Sequence, residues 1–377
     1  MKKINCHCVA ILLCSLSACA SQDENVFQNT IFHDVVHLPK KEFNSAQNVK
    51  NIILMIGDGM GIAQVYAGLT ANKGQLNLQN CTYTGFIKTN PSDGYITDSA
   101  AGATAFACGV KTYNGAIGVD SEGNHVPNIL ELAKASGKRT GLVATCRITH
   151  ATPAAFIAHQ LQRDMYEEIA ADFINTDIDV FIGGGRNNFN QRKDNANYLD
   201  TLLNNDYQVI FNIDSLSYIY SGKLAALIHE EDQSRFSEGR GDMLIDATES
   251  ALRLLSNNEN GFFLMIEGSQ IDWGGHENLT SYIVEEMLDF DRAIGKVLKF
   301  AADNGETLVV ITADHETGGF AIINGDLETG MVEGSFSTEG HTPVLIPVFA
   351  YGPHAEKFTG IYENTAIFDK MKSAAGL

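Results

Sequence analysis

Ile52 to Ile56 is an unbroken apolar run held between Asn51 and Gly57, and the acid Asp58 stands directly behind it. A run that is apolar at every residue has no face to offer water. It reads as a strand buried on both sides, as in a parallel sheet covered by helices. Similar runs return at 140–144, 180–182, 262–266, 308–311 and 344–350. Amphipathic stretches lie between them, at 126–136, 153–161, 165–175, 242–256 and 280–302. The last sets Ile283, Met287, Leu288, Ile294, Val297 and Leu298 along one side. This alternation predicts an α/β fold: a doubly wound, mostly parallel central sheet with helices on both faces, in one large domain.

Charge narrows the function classes. The 377 residues carry 26 Lys+Arg against 46 Asp+Glu, a formal net charge of −20. No basic surplus exists to displace phosphate counterions, which excludes nucleic acid as a structural partner. With 44 % hydrophobic and 19 % charged residues, the chain is too apolar for intrinsic disorder. Met1-Lys2-Lys3 precedes an apolar stretch from Val9 to Leu16 that is too short to span a bilayer and has the size of a signal-peptide core. Leu16-Ser17-Ala18-Cys19 resembles a bacterial lipoprotein box, which implies cleavage before Cys19 and a membrane-anchoring lipid on it. The other reading is an ordinary secretory signal cut near Ala18 or Ala20. The expected organisation is a signal peptide at 1–18, a lipidated tether and N-terminal arm at 19–48, and one catalytic domain at 49–377. Such a protein is exported and sits in the periplasm or at the outer membrane. Losing residues 1–18 removes two lysines and no acid, so the mature charge is −22. Besides Cys19, only Cys81, Cys108 and Cys146 remain. That odd number excludes a complete disulfide framework, and the absence of CxxC spacing argues against a thiolate zinc site.

Chemistry-bearing residues gather where the apolar runs end. Asp58 lies in Gly57-Asp58-Gly59-Met60-Gly61, whose glycines lack the GxGxxG spacing of a dinucleotide loop. A carboxylate in such a glycine-lined turn can approach a metal, although a plain strand-to-helix turn explains the motif equally well. Glu267, Asp272 and His276 fall within ten residues behind the 262–266 run, Asp314-His315 follow the 308–311 run, and His341 adds another imidazole. In open α/β sheets ligands sit beyond the carboxyl ends of strands, and a mixed His/carboxylate set suits zinc. Thr97-Asp98-Ser99 opens a small-residue helix whose N-terminus favours an anion, although Asp98 or Ser99 can also serve as a simple cap. No Gly-x-Ser-x-Gly surrounds Ser99, so a serine–histidine triad is not indicated and a metal is the better activator.

Taken in order, the segments 53–61, 95–112, 145–163, 267–276, 307–315 and 340–354 resemble those of the alkaline phosphatases through nearly the whole mature chain. The resemblance implies a homologous fold, small phosphate monoesters as substrates, two Zn2+ and a third site that usually holds Mg2+. It implies Ser99 as a nucleophile that is transiently phosphorylated, with Arg163 gripping two phosphate oxygens. Asp58, Asp314 and His315 would hold one zinc; Asp272, His276 and His341 the other; Asp58, Thr152 and Glu267 the third ion. Asp98, His150 and Trp273 would border substrate and ligands. Two positions depart from one branch of the family: His150 stands where that branch has a carboxylate, and Trp273 where it has a lysine. His150 is therefore expected to weaken magnesium or admit a softer ion, and Trp273 to alter product release and pH dependence. Only 25 residues separate His315 from His341, so the large insertions some members carry there are absent and a homodimer is left open.

Within the superfamily, a diester's second ester group would occupy an oxygen that Arg163 grips. The Cys-x-Pro-x-Arg of a common sulfatase is missing. A phosphate-capturing lipoprotein without turnover would lack the nucleophile or a ligand, and all are present.

Overall fold

A computed structural model of the chain describes residues 25–39, Phe43 and 49–377. The signal peptide and the Cys19 lipid site expected above lie outside the described residues. No helix among those described is long and apolar enough to cross a membrane.

Ten strands form the central sheet, in the order Gly360–Glu363, Tyr83–Lys88, Ile346–Tyr351, Thr307–Thr312, Asn51–Gly57, Phe262–Gly268, Arg139–Arg147, Val180–Gly184, Lys223–Leu227 and Tyr207–Ile210. Only Ile346–Tyr351 runs against its neighbours; every other adjacent pair is parallel. The central strands are buried along their whole length, as continuous apolar runs require. Register then fixes the site. Ile56 sits opposite Glu267 on one side and Thr312 on the other, so Asp58, Glu267 and the Asp314-His315 pair leave the sheet at one edge.

The 25-residue helix Thr280–Asn304 buries Ile283, Met287, Leu288, Ile294, Val297 and Leu298, the side expected from its periodicity. Helices at Ile129–Ala135, Tyr166–Thr176 and Met243–Leu255 also fall in expected stretches. The 153–161 stretch is different: helix covers only Ala151–Ala154. Gln160 exchanges two backbone hydrogen bonds of 2.9 Å with Ile117, and this bridge draws the chain out of a helical path. Residues 154–158 are all buried, so their apolar pattern has no single inward face to mark a helix. The 344–350 run becomes strand only from Ile346, because Val344 and Leu345 are exposed.

The arm also carries structure that its polar sequence did not suggest. Val26–Gln28 pairs with Met331–Ser335, which in turn pairs with Ala321–Asp326. His33 Nε2 lies 2.8 Å from Asp291 on the long helix.

Candidate active site

The Asp58 turn depends on glycine. Gly59 has φ +74°, and a Cβ placed there would lie 2.6 Å from the Asp272 Cα. Only glycine combines that conformation with so close a backbone approach. Gly102 plays a similar part on the nucleophile helix, where a Cβ would lie 2.9 Å from the Asp314 Cβ. The helix Ser99–Cys108 can thus lie against the Asp314 loop.

Asp98 caps that helix, its Oδ1 accepting from the Ala101 N–H at 3.0 Å. Its other oxygen accepts from the Gly115 N–H at 3.0 Å and from Arg163 Nη1 at 2.9 Å. Capping and function are therefore not alternatives here, because the cap also aims a guanidinium at the helix N-terminus. Arg163 lies in a turn, where its second terminal nitrogen is 3.4 Å from His150 Nε2.

Ser99 Oγ lies 3.2 Å from His315 Nε2. The same nitrogen is 3.4 Å from Asp58 Oδ1 and 3.3 Å from Asp314 Oδ2. Both Asp58 oxygens and Asp314 Oδ2 are buried with no hydrogen-bond partner. Burial, and then the neighbouring Asp314, Asp272 and Glu267 carboxylates, push the Asp58 carboxyl well above its usual range. Burial and Asp272 raise Asp314 to about 6. A divalent ion fits these orphaned, mutually repelling carboxylates around one imidazole.

A second group centres on Asp272. His276 falls one helical turn after it in Gln270–His276, settling the helix-or-loop question the two glycines left open. His276 Nε2 and His341 Nε2 lie 3.4 and 3.5 Å from the Asp272 carboxylate and 3.2 Å from each other. Each ring's Nδ1 faces a carbonyl oxygen, Glu339 for His276 and Thr97 for His341 at 2.8 Å. A carbonyl can only accept, so each Nδ1 donates to it and each Nε2 is the nitrogen turned toward Asp272, the one a metal ion would take in exchange for a proton. Burial opposes charge on Asp272, yet its bonds to His276 and His341 hold it well below the ordinary range. Asp272 in turn raises His276 to about 9. Donor atoms of Asp272, His315 and His341 also lie within 4.8 Å of one another, so the two groups adjoin.

A family model described as alkaline phosphatase matches residues 49–332 and 331–377. The chain belongs to the alkaline phosphatase family. It is 41 % identical to alkaline phosphatase 4 of Bacillus subtilis over 302 residues, 73 % of this chain, and the match spans 63 % of that relative's length. Alkaline phosphatase 3 of the same organism is 33 % identical over 425 residues, covering 87 % of this chain and 89 % of the relative. Among solved structures, the alkaline phosphatase of the Antarctic bacterium TAB5 is 45 % identical, with a TM-score of 0.84 over 88 % of this chain and 98 % of that one. A histidine-to-aspartate variant of that enzyme has been solved with Mg bound in its M3 site.

As in the alkaline phosphatase reading, Glu267 and Thr152 converge on a third place. Glu267 Oε1 and Thr152 Oγ1 are buried with no hydrogen-bond partner, and burial raises Glu267 to about 7. His150, the residue before the short Ala151–Ala154 helix, joins them; burial and then Arg163 lower it to about 4. Trp273 stands edge-on to His150, with ring centroids 6.3 Å apart. Two residues escaped the sequence reading. Thr317 donates a short hydrogen bond to Asp272 and lies 3.2 Å from His315 Nδ1, so it orients both. Cys146, set aside for lack of CxxC spacing, places its sulfur among donor atoms of His150 and Glu267 that all lie within 4.8 Å of one another. Its partners come from a following turn and the adjacent strand, a separation that short-motif spacing does not detect.

Proposed function

We propose that this family member hydrolyses phosphate monoesters through a phosphoserine on Ser99. The observation that carries the reading is Ser99 at a helix N-terminus, beside the Asp98 that anchors the Arg163 fork and 3.2 Å from the His315 nitrogen that faces the orphaned Asp58 and Asp314 carboxylates. Asp58, Asp314 and His315 would hold one zinc ion and Asp272, His276 and His341 another. When bound, such ions lower the pKa of a hydroxyl and neutralise charge on attacking and leaving oxygens.

The residues supply the remainder. Arg163 and the helix N-terminus bind and orient the phosphoryl oxygens. Ser99 attacks phosphorus, the ester oxygen leaves as an alcohol after protonation, and water later cleaves the Ser99–phosphate bond to release inorganic phosphate. His315 stays neutral, because burial and then His341 hold it well below its usual range; it acts as a lone-pair donor and not as a protonated acid. Near Arg163, an imidazole and an indole stand at His150 and Trp273. The magnesium-bearing variant of the Antarctic relative carries a carboxylate in place of a histidine, which supports weak magnesium binding beside His150.

Ser99→Ala tests the reading: hydrolysis of an aryl phosphate monoester should disappear while zinc content is kept. Near-normal turnover would sink the mechanism. Rates on an aryl diester and sulfate separate the related activities, and both should fall far below the monoester rate. We also propose export with a lipid on Cys19; failure of Cys19→Ala to abolish radiolabelled fatty-acid incorporation would overturn it.

A further inference from the structure

Cys146 ends a buried strand, Arg139–Arg147, beside the Glu267 strand. Its Sγ lies 3.5 Å from Glu267 Oε2, and a ring nitrogen of His150 completes a group within 4.8 Å. Three neighbouring polar atoms are buried with no hydrogen-bond partner: His150 Nδ1, Glu267 Oε1 and Thr152 Oγ1. The frame around them is held from outside. Arg147 clamps Asp232 through Nε at 3.1 Å and Nη2 at 2.6 Å, and the Ser269 N–H donates to Thr145 Oγ1 at 2.8 Å. Donors of sulfur, nitrogen and oxygen thus lie in one fixed, water-poor space.

We propose that Cys146, His150 and Glu267 together bind a borderline-soft divalent ion, zinc foremost, so that the third ion of this chain is ligated by sulfur, nitrogen and oxygen. The location rests on the phosphatase reading; the ligand set does not. Magnesium prefers near-octahedral oxygen ligands and gains little from a thiol or an imidazole, whereas zinc takes both in tetrahedral sites. On binding, the Cys146 S–H bond breaks, a sulfur–zinc bond forms, and the proton leaves to solvent.

The test uses the full chain, stripped and reloaded with zinc, then examined by X-ray absorption. Wild type should take up a third zinc and show a sulfur shell at about 2.3 Å. Cys146→Ala keeps a small apolar side chain and should lose that shell, with third-site zinc affinity down at least tenfold and the other two zinc ions retained. Cobalt(II) loading gives a second readout: a thiolate charge-transfer band present in wild type and absent in Cys146→Ala and Cys146→Ser. A sulfur shell that survives in Cys146→Ala comes from another cysteine and overturns the proposal. So does a loaded wild type with no such shell, or one in which magnesium displaces the third zinc at equal concentration. Because these signals do not require turnover, an inactive protein with the Cys146-dependent shell refutes only the phosphatase reading. An active protein without the shell refutes only this inference.

Discussion

In the metal-stripped protein, neutralising Glu267 should raise stability at pH 8 and have almost no effect near pH 4. Glu267 is fully buried, and burial, with Asp314 beside it, raises its carboxyl from 4.5 to about 7. That difference between folded and unfolded chain amounts to ~3 kcal/mol. The folded, metal-free state holds the proton more tightly, so ionised Glu267 opposes folding. The penalty is fully present above the folded value near 7, shrinks as pH falls through it, and is gone below the unfolded value. Glu267→Gln keeps the shape and removes the ionisation. The stripped variant should therefore exceed stripped wild type by up to ~3 kcal/mol at pH 8, with the gain fading toward pH 4. Zinc loading should reverse the order, because a cation compensates the charge and glutamine is a poorer ligand. Urea unfolding of stripped and loaded samples at both pH values gives the midpoints. If stripped Glu267→Gln is no more stable than stripped wild type at pH 8, carboxylate crowding is not what the cations relieve.

Other perturbations separate parts of the site. Gly59→Ala adds a Cβ at positive φ against the Asp272 backbone; it should cost about 1–2 kcal/mol in strain and lower zinc content, measured by elemental analysis and thermal melting. Arg163→Ala should raise KM for an aryl phosphate at least tenfold, with Arg163→Lys restoring only part, because a point charge lacks the planar fork. Inorganic phosphate should bind the stripped protein at least tenfold more weakly than the zinc-loaded one by titration calorimetry; equal affinities would contradict the charge argument below.

The central sheet was legible because buried parallel strands write themselves as continuous apolar runs, and Asp58, Glu267 and Asp314-His315 stand directly behind three of them. Elements that draw their identity from pairing were hidden. Val26–Gln28 is three residues long and becomes a strand only through Met331–Ser335. The Phe156–Gln160 segment is bent by its bridge to Ile117, thirty-nine and more residues upstream in sequence, so local periodicity carries no trace of it. Asp98 shows the same limit within the site. Its capping role was readable from Asp98-Ser99, but its hold on Arg163 joins residues 65 apart. Cys146 leaves no mark in CxxC spacing, because its sulfur meets Glu267 across two neighbouring strands.

A net negative charge opposes the approach of an anionic substrate, and the geometry resolves the conflict. Asp58, Glu267, Asp272 and Asp314 are all buried at one sheet edge, with the Arg163 guanidinium held by Asp98 at the cap of the Ser99 helix. Without cations this site would repel a phosphate dianion, and burial first, then the neighbouring carboxylates, raise Asp58, Asp314 and Glu267. Under the proposed function, three divalent ions and Arg163, set against these four carboxylates, a Ser99 alkoxide and the Cys146 thiolate, would leave a filled site at about +1, ligand donation softening the field but not its sign. The same carboxylates that make the bare pocket hostile to substrate are what draw in the ions that make it attractive. Under the proposed function the order of assembly is then cations first, phosphate ester second. The chain's negative balance is then no obstacle to its chemistry, since the acids that matter lie beneath the metals.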